Sequence, residues 1–269
     1  MSSNIDLNLK EFENIDSSRQ YETFIAALKQ FNDIAEIQDL KQIARDKISK
    51  DSKKVLDAGC GPGLETILIA KNFKNTECTG IDLSKDFITT ALKQAKEFGI
   101  KNCTFKDMNI ENLSFDDNSF DFSRAERVLL YVPNPKIAIK ELFRVTKKNS
   151  YMCLIEPDWE TNTINVNNRE LVRKIINHDC DNNIKNGWVG RELPSILKDL
   201  NINYSIDSRV ARLPQQLALN FYLGVAKSAF ENNAISNKEH LTWIKEITEL
   251  FDAKRLFCTV SYFLFICET

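Results

Sequence analysis

The stretch Val55–Leu56–Asp57–Ala58–Gly59–Cys60–Gly61–Pro62–Gly63 holds the residue types and spacing best suited to chemistry. It falls where a predicted strand turns into a predicted helix. Glycine reaches left-handed backbone angles that other residues avoid, so the turn is tight and its N–H groups can approach a ligand closely. The N-terminus of the helix that follows favours negative charge. The spacing is GxGxG with an acid two positions before the first glycine, not the GxGxxG of dinucleotide sites. Asp82 lies about twenty residues on, at the end of the next predicted strand, where its oxygens can accept from two ribose hydroxyls.

Such a turn needs a frame. Tyr21, Phe24, Ile25, Leu28 and Phe31 recur at helical spacing, as do Ile34, Ile37, Leu40, Ile43, Ala44 and Ile48, which predicts two helices within 18–49. Strands are then expected at 53–57, 77–81, 103–106, 120–123 and 151–155, with helices at 65–73, 85–98 and 135–146. Strands separated by helices make crossover units and a mostly parallel sheet. Beyond Pro157 the rhythm changes. Helices are expected over 166–183, from about 191, over 215–231 and over 238–252, with strands at 203–210 and 257–266. The expected architecture is α/β: a doubly wound, seven-stranded, mostly parallel sheet. Residues 1–50 form a helical N-terminal cap and 51–269 the main domain, with a helical lid inserted at about 212–254.

Bulk properties narrow the function. The chain has 269 residues, of which 43% are hydrophobic and 28% charged, the balance of an ordinary globular protein. Its net charge of −2 disfavours nucleic acid as a partner, since phosphate binding needs a local excess of Lys and Arg. The N-terminus is polar and acidic, unlike a secretory leader. The longest apolar stretch, Leu256 to Cys267, is well short of the roughly 20 residues of a membrane helix. The seven cysteines show no metal spacing, so no metal site is expected. Cys78, Cys103, Cys153, Cys258 and Cys267 fall in predicted strands. An odd number of unpaired thiols points to a reducing, cytoplasmic setting.

The sequence resembles the Rossmann-like methyltransferases that use S-adenosylmethionine (SAM), in particular those acting on small molecules. Val55–Gly63 resembles the family's first motif and Glu77–Leu83 its second. Leu113 and Phe115 match the loop the family usually writes GDAxxLPF, with Ser114 in place of its proline and Asn109 where an Asp is usual. Asp116–Asp121, Arg127–Val128–Leu129, Glu141–Val145, Glu156–Pro157–Asp158–Trp159 and Arg191–Pro194 resemble later segments. The resemblance covers about residues 53–200. It implies SAM as cofactor and S-adenosylhomocysteine (SAH) as product. It places Gly59, Gly61 and Gly63 under the methionine and ribose, with Asp57 holding the methionine amino group. Asp82 takes the ribose hydroxyls and Leu83 packs on the adenine. Asn109 and the Ile110 backbone meet the adenine edge, with Asp107 a competing candidate. Arg124, just after the fourth strand, lies beside the methionine tail.

Methyl transfer asks little of a protein beyond holding a nucleophile in line with the methyl carbon. A general base is needed only where the acceptor must lose its proton early. Tyr131, Glu156, Asp158 and His178 are the candidates for chemistry on the acceptor, and Tyr21, Tyr131 and Trp159 for contact with it. Tyr131 stands where many relatives carry a His. The N-terminal helices and the regions 159–190 and 212–254 are expected to close over the cofactor. Phe221, Tyr222, Phe230, Trp243 and Phe251 make the lid apolar and suggest a partly apolar small acceptor. Two other readings remain open: a SAM-binding module without turnover, and an NAD-dependent oxidoreductase on a similar fold. The sequence does not identify the acceptor or the oligomeric state.

Overall fold

The computed structural model describes residues 21–269, with the side chains of Tyr21 and Thr23 outside the described residues. The first helices are α1 (Tyr21–Asn32) and α2 (Ala35–Arg45). Then β1 (Lys54–Ala58), α3 (Leu64–Asn72), β2 (Glu77–Asp82), α4 (Lys85–Glu97), β3 (Cys103–Asp107), β4 (Phe120–Glu126), α5 (Pro135–Val145) and β5 (Thr146–Ile164) follow. After these come α6 (Arg169–His178), a π turn at Asp179–Asn183, α7 (Val189–Asp199), β6 (Asn203–Arg212), α8 (Gln215–Glu231), α9 (Asn237–Asp252) and β7 (Cys258–Glu268).

The seven strands form one sheet in the order β3-β2-β1-β4-β5-β7-β6. The pairs β1–β2, β1–β4, β2–β3 and β4–β5 are all parallel. β7 runs opposite to β5: Thr163 faces Thr259, and Ser261 N donates to Thr161 Oγ1. The strand order reverses between β1 and β4, so the connections leave their C-terminal ends in opposite directions. Doubly wound sheets bind ligands in the crevice such a reversal opens.

Local chemistry sets the element ends. Ser84 caps α4 by accepting from Phe87 N, and Asn134, followed by Pro135, caps α5. Asn102 Nδ2 donates to three carbonyls, of Ala70, Phe73 and Thr76, and so closes the C-terminal end of α3. Ser236 and Glu239 make a reciprocal capping box on α9.

The chain divides into two compact units. Among the described residues, one comprises those up to Gln38, Pro157–Trp188 and Arg209–Tyr262; the other Asp39–Glu156, Val189–Ser208 and Phe263–Thr269. In the second unit Val55, Leu56, Ala58, Ile81, Phe122 and Ala125 form a wholly buried sheet core. Cys60, Ile67, Ile88, Ala91, Ala95 and Phe105 pack as a cluster beside it. In the first unit Trp243, Tyr222 and Phe221 are almost fully buried, Phe221 packing edge-on to Tyr222 and Trp159. Phe230 stacks on His240. Phe221, Tyr222 and Trp243 therefore serve the packing of their own unit, and their apolar character says little about an acceptor.

Three expectations need correction. β4 runs on to Glu126, so Arg124 lies inside the strand and not after it. β5 is not the short strand 151–155 but a 19-residue strand that begins at Thr146 and continues through Pro157 to Ile164. Residues 147–150, between the expected helix and strand, lie within it, because Asn149 N bonds Thr269 O and Thr269 N bonds Ser150 O. The α-helix expected over 166–183 stops at His178 and widens into the π turn. There Asp179 accepts from Trp159 Nε1 and Asn183 Nδ2, while Asn183 Oδ1 accepts from Ser228 Oγ. Satisfying these buried polar groups favours the irregular geometry.

Candidate functional site

The glycine turn lies at the C-terminal end of β1. Gly59, Gly61 and Gly63 all have positive φ, at 71°, 52° and 84°. The positions differ in what surrounds them. A Cβ on Gly59 would sit 2.1 Å from Val128 Cγ2, and one on Gly63 would sit 2.8 Å from Ala91 Cβ. Gly80, on β2, would meet the Phe105 ring at 2.7 Å. These three glycines allow close packing under and around the turn. Gly61 differs: nothing lies within 4 Å of its added Cβ. Its open side is the one a ligand can approach.

Backbone bonds fix the turn's shape. Gly59 N and Cys60 N both donate to Ile81 O, at 2.7 and 2.8 Å. Gly61 N donates to Asp82 Oδ2 at 2.8 Å, and Ser84 N donates to Asp82 Oδ1 at 3.0 Å. Asp82 thus ties the glycine turn to the start of α4. An ionised carboxylate has about four lone-pair sites, so each oxygen keeps capacity to accept again. Leu83 beside it is 71% exposed, a large apolar side chain standing at the rim. Asn109 is exposed, its Oδ1 accepting from Glu111 N at 2.9 Å, while Ile110 is buried. Asp107, the competing residue, is largely exposed, with its Oδ2 3.9 Å from Lys85 Nζ.

Asp57 and Arg124 turn inward. Arg124 Nη1 lies 2.7 Å from Asp57 Oδ1, and Thr66 Oγ1 donates to Asp57 Oδ2 at 2.6 Å. Arg124 Nη2 lies 2.6 Å from Glu126 Oε2, which also takes Lys41 Nζ at 2.8 Å. Lys41 reaches Glu65 at 3.6 Å, and Arg45 holds Glu65 at 2.7 Å. Asp57, Arg124, Lys41, Arg45 and Glu65 are buried, and the Glu126 side chain is only 7% exposed. They make an ion cage that joins α2, β1, α3 and β4 beneath the glycine turn. Burial alone would raise the Glu126 carboxyl, but Lys41, Arg124 and Arg127 hold it well below the usual range. Burial opposes the Arg124 charge too, yet Asp57, Glu65 and Glu126 keep it firmly protonated. Both Asp57 oxygens are taken within the cage.

The candidates for acceptor chemistry stand on different elements. Tyr131 is half-buried, its N–H donating to Val128 O. Glu156 and Asp158 are buried on β5. Glu156 Oε1 accepts from Val128 N and Leu129 N, at 2.9 and 2.7 Å. Trp159 is buried, with its indole N–H on Asp179. Burial pushes the Asp179 carboxyl up to about 6. His178 is buried at the end of α6. Tyr21 opens α1, and its side chain lies outside the described residues. Among the described residues no group of His, Cys, Asp or Glu is placed to hold a metal. No described helix is long and apolar enough to cross a membrane.

Sequence reading alone passes over the residues behind the turn: Lys41, Arg45, Glu65, Thr66, Glu126 and the role of Val128. Lys41 and Glu126 stand 85 positions apart and Arg45 and Glu65 stand 20 apart, and no local pattern announces such pairing.

An uncharacterized methyltransferase of Schizosaccharomyces pombe is 36% identical over 121 residues, which cover 42% of this chain and 42% of that one. The chain covers half or less of the curated relatives it matches first. Among solved structures, the YcgJ protein of Bacillus subtilis shares the fold with a TM-score of 0.60 at 17% identity, over 86% of this chain and 98% of that one. Geranyl diphosphate C-methyltransferase of Streptomyces coelicolor, solved with Mg2+, geranyl diphosphate and SAH, shares it with a TM-score of 0.55 at 16% identity, over 94% and 86%. The model of the methyltransferase domain matches residues 49–254, most of the chain, and the chain belongs to that family.

Proposed function

We propose that this protein transfers the methyl group of SAM to a small-molecule acceptor by in-line displacement. The observation that carries the reading is the turn itself. Gly61 is open on one side, its N–H is fixed by Asp82, and the exposed Leu83 stands beside them. The residues present fit SAM. Gly59, Gly61 and Gly63 let its backbone come close, Asp82 accepts the ribose hydroxyls, Leu83 covers the adenine, and Asn109 and Ile110 meet its edge. Asp57 and Arg124 act from below, by holding β1, β4 and α3 in register. Bound SAM supplies an electrophilic methyl carbon, so the chain's own task is to orient the acceptor and exclude water. The net charge of −2 supports a small acceptor over nucleic acid. The seven free thiols support a reducing, cytoplasmic setting.

Calorimetric titration with SAH and with NADH separates the readings. SAH is expected to bind with Kd of about 10 μM or tighter, near −7 kcal/mol, while NADH gives no heat. Binding of NADH in place of SAH would overturn the methyltransferase reading in favour of hydride transfer. With SAH binding established, labelled SAM and a panel of small acceptors test turnover.

A further inference from the structure

The turn that follows β4 is strained, half-buried and pinned at one place. Arg127 sits at φ 53°, a left-handed angle that costs a non-glycine residue about 1 kcal/mol or more. Its N–H donates to Ile155 O at 2.9 Å, and the turn closes with Tyr131 N on Val128 O at 2.9 Å. The next two N–H groups, of Val128 and Leu129, converge on one oxygen, Glu156 Oε1. Glu156 is wholly buried, and its second oxygen, Oε2, has no hydrogen-bond partner. A fully buried carboxyl with one idle oxygen is costly, so the two bonds it does make have to matter. Their target is Val128. The Val128 side chain occupies the space above Gly59 where a Cβ would be, 2.1 Å from Cγ2. Gly59 in turn begins the cofactor turn and bonds Ile81 O.

We propose that Glu156 is a positioning residue for the cofactor turn: by fixing the Val128 and Leu129 amides it presses Val128 onto Gly59 and so sets affinity for the cofactor. The inference rests on the SAM reading above and deepens it. Glu156 touches neither cofactor nor acceptor in this role. Burial is the main force on its carboxyl, raising it to about 8 against the pull of the two N–H groups and Arg127, with Glu126 adding to the rise. At neutral pH the group is therefore mostly the neutral acid. Glutamine, neutral and of the same shape, keeps a carbonyl oxygen for both amides.

SAH affinity is measured by calorimetry for the wild type, Glu156→Gln, Glu156→Leu, Val128→Ala and the Glu156→Leu/Val128→Ala pair. Glutamine is expected to stay within about threefold of the wild type. Leucine and Val128→Ala are each expected to weaken binding about tenfold. The pair should be scarcely weaker than either alone, because both changes break one path; independent effects would multiply to about a hundredfold. Amide hydrogen exchange without ligand supplies a second readout. The Val128 and Leu129 amides should exchange more than about tenfold faster in Glu156→Leu. Wild-type affinity in Glu156→Leu, or multiplying effects, overturns the proposal. Should Glu156→Leu fail to fold, Val128→Ala decides: unchanged SAH affinity there overturns it, and a loss of about tenfold supports it. A wild type that does not bind SAH overturns the cofactor reading and this inference with it. A wild type that binds, with unaffected variants, overturns this inference alone.

Discussion

Asp82→Ala is expected to weaken SAH binding by more than about tenfold, and by as much as about a hundredfold. Two losses combine. On the proposed reading the ribose hydroxyls lose their acceptor, which costs about 1–3 kcal/mol, or roughly tenfold for each 1.4 kcal/mol. The glycine turn also loses its tie, because Gly61 N and Ser84 N both rest on this carboxylate. Asp82→Asn separates the two. Its amide oxygen can still take one of those N–H groups, so it should fall between the wild type and alanine. Calorimetry with SAH reads all three. An alanine variant that binds within twofold of the wild type would remove Asp82 from the site.

The second large effect is on stability. Arg124→Leu is expected to destabilise the protein by about 3–5 kcal/mol, the usual consequence of leaving a buried ion without its partner. Asp57 would lose its ion pair with Arg124, while Glu126 would keep Lys41. For a chain of this size the melting temperature should fall by about 10 °C. The charge is the cause, so adding Asp57→Asn to Arg124→Leu should recover part of the loss. Thermal and urea denaturation of the two variants test this. A loss below about 1 kcal/mol, or no recovery in the double variant, would mean that the cage does not hold β1 against β4 as the distances indicate.

The two predictions mark where sequence stops informing. The path from Gly59 to Asp82 was legible because its signals are local. Alternating glycines after an apolar run, then an acid at the next strand end, fix both the turn and the residue that ties it. The parallel strands β1, β2 and β3 fall within one residue of their expected ends for the same reason. β4 was cut short because Arg124 and Glu126 read as the polar end of a strand. They are buried only because Lys41 arrives from α2 to share Glu126, and such a contact leaves no trace in local spacing. β5 was cut short at Pro157, a residue that usually ends a ladder. In the fold, Trp159 N finds Gly187 O and the strand continues. Arg124 and Asp57 were read as ligand contacts because both lie at strand ends of a binding crevice. In the structure both are buried in the cage, where Asp57 accepts from Arg124 and Thr66.

The buried cysteines make the folded chain slow to label. The thiolate attacks alkylating reagents and disulfides, and only those that can reach it. Six of the seven thiols are buried, and Cys103 alone is partly open. Burial also pushes the thiols of Cys78, Cys153, Cys180 and Cys258 up to about 12. A maleimide mixed with the native protein should therefore mark one sulfur early and the rest only as segments open, and mass spectrometry would count the marks against time. Seven marks at once in the absence of denaturant would contradict the burial described. Otherwise the thiols act as clocks spread over both units, from Cys60 at the cofactor turn to Cys180 in the π turn, each reporting how often its own neighbourhood comes apart.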